Sequence, residues 1–456
     1  MALRRRSDVV ALALALAVGA GLRLVGVGYG LPYALLNPDE TSIVPRAWRI
    51  AHGHGLDPRW YEYPSGLMYL LAPGQALVAH ASYGVARGFA VALGLAGVAA
   101  AWWLGRRAYG AGAAVVAAAA VAVATTHVAY SRMAVTDVPM TLAVTCALAL
   151  MLAGRLEWAG LAVGLAAALK YPGAVALLPL AVAGWGRWRR LARAAALAAL
   201  AFVAATPFVL VHAGAAWEDA SRVNRLARAG WLGFEHDPPT PLAYLDRLWE
   251  AVGPLLAIGL LGLAIALVRR TRTDLVLAVS LLAFWAMLLP QRAHFDRYVL
   301  PLVPVLGVLA GRLRALVPVA LVALAVPLVW SIQDARRLTR TDTRAAALPL
   351  LQRALPARAS IAADPSSPPL GRRVLDLQLP GPGRPVDPNR DLARLRRRGV
   401  GWVVVTGSVA DRVLRARSDY PLESRFYDAL ARLRPVVDVE PGGDLAGPWV
   451  RLYRIG

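Results

Sequence analysis

Two acidic sites and a single lysine stand out in this chain of 456 residues as side chains that could do chemistry. The acidic residues are the adjacent pair Asp39 and Glu40 and, further along, Asp137. Lys170 is the only lysine among 50 basic residues, which indicates a role for a compact ammonium group. A carboxylate can take a proton from a hydroxyl while nearby cations stabilise an anionic leaving group. These residues therefore predict a transfer reaction with a carboxylate base and an anionic product.

Structural roles for the same kinds of residue stay open. The acidic pair follows Pro38 and precedes a helical run, a position that suits helix capping. Arg132 and Arg297 suit interfacial anchors whose charged ends reach the membrane surface. The motif His52-Gly53-His54 is a weak metal pattern, since two histidines need further ligands in a fixed geometry. The sequence therefore predicts no metal site and no cofactor, and a divalent metal stays an open alternative.

The composition indicates a membrane protein. Hydrophobic residues make up 58% of the chain and charged residues 17%, against about 45–50% and about 25% in soluble domains. The apolar residues occur in blocks of about 17–22, the length that spans a bilayer. This excludes a soluble globular enzyme, a disordered chain and a disulfide scaffold, and Cys146 is a single cysteine without a partner. Much of the net charge of +22 lies in short loops between apolar blocks, which favours membrane topology over nucleic-acid binding.

Eleven membrane spans are predicted. The first runs from Val9 to about Tyr29, follows the basic head Met1–Arg6 and lacks a cleavage site, so we expect an uncleaved span with a cytoplasmic N-terminus. The others cover residues 86–104, 110–129, 138–153, 157–170, 172–186, 192–212, 251–268, 274–290, 298–311 and 315–332. Every inner connection then carries arginine, as the positive-inside rule requires. These arginines lie at positions 4–6, 106–107, 155, 187–193, 269–272 and 312–314.

Two further regions complete the predicted architecture. The segment 66–83 is apolar enough to span, but counting it would place Arg106 and Arg107 outside, so we expect an interfacial helix within an outer loop, 30–85. Residues 1–332 would then form the transmembrane domain and residues 333–456 a small α/β domain on the outer face. The expected strands of this domain are Ala359–Ala363, Trp402–Thr406, Val436–Val439 and Trp449–Ile455. Its expected helices are Thr343–Leu355, Arg390–Arg398 and Glu423–Arg432.

The order of these motifs resembles that of the polyprenyl-phosphate-dependent GT-C glycosyltransferases. The nearest group is the glycosyltransferase family 39-like set, which includes protein O-mannosyltransferases and the lipid A aminoarabinose transferase. The resemblance covers about residues 20–330 and implies a polytopic α-helical membrane protein with the GT-C fold. The matching motifs are Arg23, Asp39-Glu40, Ser131-Arg132, Asp137, Gly160, Gly164, Lys170-Tyr171, Arg297-Tyr298, Pro301 and Pro304.

The resemblance also implies roles for individual residues. Asp39 falls on the family's general base, Glu40 on the second member of that acidic pair, and Asp137 on the acidic residue of the second outer loop. We expect three cations to bind the donor phosphate and four further side chains to contact substrate. The expected phosphate-binding cations are Lys170, Arg297 and Arg132. The expected substrate contacts are Tyr63, Tyr171, His294 and Tyr298.

The expected activity is an inverting transfer of a sugar from a polyprenyl-phosphate donor to an acceptor hydroxyl on the outer face of the cell membrane. The expected partners are this donor, a glycan, lipid or protein acceptor, and membrane lipids, without nucleic acid. The tail lacks a region similar to the sugar-binding repeats of eukaryotic O-mannosyltransferases, so protein is one acceptor among several. Two alternatives are a polytopic transporter or lipid flippase without catalysis, and an oligosaccharide ligase with a lipid-diphosphate donor.

Overall fold

Helices dominate the first part of the chain. The computed structural model describes residues 2–456, with side chains from residue 9 onward, so the basic head Met1–Arg6 predicted on the inner face lies outside the described side chains. The helices before the C-terminal sheet are α1 (Ala2–Leu24), α2 (Asp39–Ala51), α3 (Gly66–Gln75), α4 (Tyr83–Ala108), α5 (Ala111–Val123), α6 (Thr125–Tyr130), α7 (Asp137–Leu152), α8 (Leu156–Leu169), α9 (Leu177–Gly184), α10 (Trp188–Ala205), α11 (Pro207–Val211), α12 (Ala213–Ala229), α13 (Thr240–Val252), α14 (Leu255–Arg269), α15 (Arg272–Leu288), α16 (Leu302–Gly311), α17 (Val317–Ala323) and α18 (Ala325–Arg337).

The helical core is packed through small residues. A Cβ atom at Gly160 of α8 would lie 2.1 Å from the carbonyl oxygen of Ala194 in α10. One turn later, a Cβ atom at Gly164 would lie 2.2 Å from the carbonyl oxygen of Ala198. Glycine at both positions lets the two backbones touch, as small residues do between helices in a membrane. This contact fixes the end of α8, and Lys170 follows directly after it.

Within the described residues, two helical segments are long and apolar enough to cross a membrane by length and composition. These are Tyr83–Ala108 and the continuous run Arg314–Arg337. The pair α13 and α14 could form a third, although the two helices are bent by 115° at the break between them. Other predicted spans contain shorter apolar helices, which are 10 to 17 residues long. The count of eleven spans therefore stays a prediction.

The predicted outer loop contains α2 and α3. Helix α2 begins at Asp39, after the fixed turn of Pro38, and its two first-turn acids favour a helix N-terminus. The side chain of Asn37 accepts a hydrogen bond from the Asp39 amide at 2.9 Å. Helix α3 is ten residues long and shares a buried apolar cluster with α2 and the start of α4. This packing presents the first turn of α2 to the middle of the helical body.

The C-terminal part contains a five-stranded sheet. Its strand order is β3-β2-β4-β7-β5, with β3, β2 and β4 parallel and β7 antiparallel to both its neighbours. A separate two-stranded parallel sheet joins β1 to β6. The strands are β1 (Thr341–Asp342), β2 (Ile361–Ala363), β3 (Leu375–Asp376), β4 (Trp402–Thr406), β5 (Val437–Val439), β6 (Leu445–Ala446) and β7 (Val450–Arg454). The helices are α19 (Thr343–Ala354), α20 (Leu392–Arg397), α21 (Gly407–Arg415) and α22 (Pro421–Ala431).

The C-terminal sheet region contacts the helical part directly. The Tyr29 hydroxyl donates a hydrogen bond to the carbonyl of Ala446 at 2.8 Å, and the Arg344 guanidinium donates one to the carbonyl of Leu35 at 2.5 Å. These contacts join the region to the chain that leads into α2. The domain boundary at residues 332–333 and the placement of this region outside the cell stay predictions.

Candidate active site

The two members of the acidic pair have different surroundings. The Asp39 carboxylate is partly exposed, and its Oδ2 accepts hydrogen bonds from Arg297 Nη1 at 2.9 Å and from the Tyr63 hydroxyl at 3.1 Å. The Glu40 side chain is fully buried and accepts two hydrogen bonds from Arg87, at 2.9 and 2.7 Å. It also accepts one from the Ala134 amide at 3.0 Å. Adjacent helix residues point in different directions, so only Asp39 faces the cluster built around Arg297.

Asp137 and Lys170 form the second ion pair of the site. Asp137 is the first residue of α7 and Lys170 follows the last residue of α8, so two helix ends bring them together at 2.5 Å. The Lys170 ammonium also lies 5.5 Å from the ring centre of Tyr63 and 5.3 Å from that of Tyr298. Both distances suit cation–π contacts. The ammonium is thus held between a carboxylate and two aromatic rings.

Arg297 links Asp39 to the aromatic side chains of the site. It lies in a short 3₁₀ turn, Asp296–Val299, directly before α16. Its guanidinium lies 4.8 Å from the ring centre of Phe295, and its Nε is buried without a hydrogen-bond partner among the described side chains. The Oδ2 of Asp137 is likewise buried and unpartnered in the described part of the chain. The cluster therefore retains hydrogen-bonding capacity on a cation and on a carboxylate.

Burial keeps the phenol of Tyr63 in its protonated form. Desolvation raises the pKa of Tyr63 well above its ordinary value, Arg297 opposes the rise, and the Asp39 carboxylate adds to it. The protonated hydroxyl donates to Asp39. In the described structure both hydrogen bonds to this carboxylate reach Oδ2, which leaves Oδ1 available to another donor.

A cavity of about 690 Å³ opens beside the cluster. This is the size of a small-molecule site. Its polar end is lined by Glu62, Tyr63, Asp137, Lys170, Tyr171, Arg297 and Tyr298. The rest of its wall is largely apolar and includes Met140, Val175, Val209, Leu210, Val223, Met287 and Leu288. Helix α12 closes one side, with Trp217 and Asn224 among its lining residues. The cavity thus has a charged end, and the rest of its wall is largely apolar.

The structure gives some predicted site residues other partners. Arg132 is buried and bonds to the Leu22 carbonyl and to Asp334, away from the cavity. His294 bonds to Asp237 at 3.0 Å and lies 3.2 Å from the Thr240 hydroxyl. Neither residue lines the cavity.

Other predicted residues do line the cavity, and sequence reasoning missed some that share it. Tyr63, Tyr171 and Tyr298 line its charged end. Glu62 and Gln291 also line it, and no motif singled them out. The only feature of the sequence that could have indicated them is their proximity to predicted site residues, since each lies within a few residues of one.

A metal centre has no support among the described residues. No group of three or more His, Cys, Asp or Glu side chains in this part of the chain could hold a metal ion. His52 and His54, the weak metal motif, instead stack on the ring of Trp48 with ring centres 4.3 and 5.9 Å away.

The whole chain superposes on solved membrane-protein structures. ArnT from Cupriavidus metallidurans bound to undecaprenyl phosphate matches with a TM-score of 0.63 at 16% identity, over 97% of each chain. The Archaeoglobus fulgidus oligosaccharyltransferase in its apo form matches with a TM-score of 0.60 at 13% identity, over 92% of this chain and 72% of the other. The chain has the GT-C fold.

Sequence comparison alone does not find this GT-C relationship. No family model matches the chain, and no curated protein matches it significantly. A third GT-C structure, archaeal AglB from Archaeoglobus fulgidus in complex with an inhibitory peptide and a dolichol-phosphate, matches with a TM-score of 0.58 at 12% identity, over 92% of this chain and 72% of the other. The prediction of the GT-C fold is thus confirmed, and identities this low establish the fold alone.

Proposed function

We propose that this chain is a membrane glycosyltransferase that moves a sugar from a polyprenyl-phosphate donor to an acceptor hydroxyl on the outer face of the cell membrane. One observation carries the proposal: Asp137, Lys170 and Arg297 line the charged end of a largely apolar cavity. Asp39 is not itself a lining residue but is hydrogen-bonded to two of them, Arg297 and Tyr63. An amphiphile with an anionic head and a hydrocarbon tail fits both parts of the cavity. The similar structures of ArnT bound to undecaprenyl phosphate and of AglB in complex with a dolichol-phosphate support this donor class.

The cations supply the donor site. Lys170 and Arg297 both line the cavity, and each already pairs with a carboxylate, so a phosphate would join an existing charge network. Charge-assisted hydrogen bonds to phosphate are about twice as strong as neutral ones. The buried, unpartnered Nε of Arg297 is a further donor on the same guanidinium. These groups would stabilise the negative charge that develops on the phosphate as the sugar leaves.

Asp39 is the proposed general base. Its partial exposure and its free Oδ1 allow contact with an acceptor hydroxyl. Glu40 cannot do this, because its side chain is fully buried against Arg87. In the reaction, Asp39 takes the hydroxyl proton, the acceptor oxygen bonds to the anomeric carbon, and the bond from that carbon to the phosphate oxygen breaks. A single displacement of this kind inverts the anomeric configuration.

The decisive experiment is turnover with defined donors. Purified protein in lipid nanodiscs would be incubated with a panel of polyprenyl-phosphate hexoses and pentoses, and release of free polyprenyl phosphate would be measured by mass spectrometry. We expect at least one donor to be consumed by the parent and none by Asp39→Asn. Arg49→Ala is a matched control, because Arg49 is an exposed cation on the same helix as Asp39.

Each alternative function predicts a different result. A ligase would consume lipid-diphosphate oligosaccharides and leave the monophosphate donors intact. A transporter or flippase would move labelled lipid across the bilayer without breaking it. Either result, with the monophosphate donors unused, would contradict the proposal.

A further inference from the structure

A short segment joins the C-terminal sheet region to the proposed active site. Residues 231–235, here the bridge, follow Gly230, whose positive φ of +121° ends α12 in a conformation that favours glycine. Leu232 is only 1% exposed and belongs to the same apolar cluster as residues of β4 and α21. Glu235 accepts a hydrogen bond from the Tyr420 hydroxyl at 2.6 Å. The bridge is therefore anchored in the C-terminal region.

The other side of the bridge packs against the loop before α16. The ring of Trp231 meets Phe295 edge-on at 5.5 Å, and the ring of Phe234 meets Phe295 edge-on at 5.1 Å. Such edge-to-face pairs contribute beyond their buried area and fix ring orientation. The Trp231 ring is also covered by the guanidinium of Arg384, which lies 4.4 Å from its ring centre. Trp231 thus contacts both the C-terminal region and Phe295.

Phe295 in turn contacts the proposed phosphate ligand. The Arg297 guanidinium lies 4.8 Å from the Phe295 ring centre, while its Nη1 reaches Asp39 at 2.9 Å. A ring beside one part of the guanidinium restricts the ways in which that flat group can turn. Without this restraint, the guanidinium could turn about its bond to Asp39 and direct its other N–H groups away from the cavity. Arg297 would then be less available to phosphate.

We infer that Phe295 is a positioning residue for Arg297, and that the C-terminal region holds Phe295 in place through Trp231. This inference rests on the proposed function, since it assigns Arg297 to the donor phosphate. It gives the C-terminal region a part in donor binding, although the region lines none of the cavity. The chain of contacts is Arg384, Trp231, Phe295, Arg297 and Asp39.

The test measures the affinity of the full chain for undecaprenyl phosphate in nanodiscs. Phe295→Leu removes the ring but keeps an apolar side chain, and we expect Kd to rise about 3- to 30-fold, the range of one cation–π contact. Phe295→Tyr keeps the aromatic ring, so its affinity for undecaprenyl phosphate should equal that of the parent. Trp231→Leu should weaken binding in the same direction, whereas Trp249→Leu should not. Trp249 is a matched control, because it is a half-exposed tryptophan in the next helix and lines a different pocket, together with Asp246 and Glu250.

A double-mutant cycle separates positioning from general packing. In an Arg297→Ala background, Phe295→Leu should cause no further loss of affinity, because it acts only through the guanidinium. An additional loss of similar size in that background would overturn the inference. So would an unchanged Kd for Phe295→Leu when the parent binds the lipid. A parent without measurable affinity for undecaprenyl phosphate would instead overturn the proposed function, and this inference with it.

Discussion

Replacing each member of the acidic pair by its amide should produce two different defects. In Asp39→Asn the side chain keeps its size and can still accept the hydrogen bond from Tyr63. The Arg297 and Asp39 side chains are 11% and 22% exposed, and the amide oxygen can still accept from Arg297, so the change should cost about 1–3 kcal/mol of stability. Turnover should fall by about 10²–10⁴, because proton abstraction is lost.

Glu40→Gln should instead act on folding. Glu40 and Arg87 are both fully buried, and Arg87 also donates to the carbonyls of Val27 and Tyr29, at 3.0 and 2.7 Å. Removing the carboxylate charge leaves Arg87 buried and uncompensated, a loss usually worth about 3–5 kcal/mol. The rate loss expected for Asp39→Asn converts to about 3–5 kcal/mol of activation free energy, so the two changes are similar in size. Asp39→Asn should raise the free energy of the transition state of the reaction, whereas Glu40→Gln should lower the stability of the folded protein.

The assay compares yield, thermal unfolding and turnover per folded molecule for parent and both variants. We expect Asp39→Asn to unfold near the parental temperature and to be almost inactive. Glu40→Gln should lose yield and thermal stability, while its surviving folded fraction turns over. Parental turnover in Asp39→Asn would refute the base assignment. A stable but inactive Glu40→Gln protein would show that Glu40 has the catalytic role.

Three further outcomes test other parts of the structure. Lys170→Ala should weaken undecaprenyl phosphate binding about tenfold or more, and Lys170→Arg should restore it only in part, since a guanidinium is broader than an ammonium; equal affinity in all three proteins would exclude this contact. In a Cys146→Ser background, a cysteine at Gly456 should react with an impermeant thiol reagent from outside and one at Arg187 should not, and the reverse pattern would invert the topology. Gly160→Leu should prevent stable folding, because its side chain would meet a carbonyl of α10, and a parental melting temperature would contradict that packing.

Hydropathy and local pattern located much of the helical framework. Helices occur in each predicted span, because long apolar runs are a local property of the chain. Strand β4 begins and ends at the predicted residues, Trp402 and Thr406, while β1, β3 and β6 are only two residues long and leave no alternating pattern to detect. Helix α21 was also missed, because its N-cap residue, Thr406, is also the last residue of β4 and makes no side-chain capping hydrogen bond.

The candidate site was harder to predict at the level of partners. The order of motifs predicted that Asp39, Asp137, Lys170 and Arg297 lie on one face of the membrane, and the structure brings these four together. The sequence-based prediction also grouped Glu40 with them, because the sequence carries no information that Arg87, 47 residues away, is the partner of Glu40. Contacts over such separations depend on how helices pack, which single-sequence patterns do not report.

The same limit applies to Arg132 and His294. Arg132 pairs with Asp334, which lies 202 residues further along the chain, and His294 pairs with Asp237. Both side chains looked available from the sequence, since neither has an acidic neighbour at helical spacing. The insertion of Leu232 into the C-terminal region had no local sign at all.

The composition of the two ion pairs has a consequence for the charge balance of the proposed reaction. The formal charges of Asp39, Asp137, Lys170 and Arg297 sum to zero. A sugar phosphodiester adds one negative charge, whereas the free polyprenyl phosphate that it becomes carries about −1.5 to −2. The proton that Asp39 takes from the acceptor offsets most of that increase. The total charge of the pocket is therefore almost the same before and after transfer, so the apolar walls around it need not accommodate a new net charge in a medium of low dielectric constant.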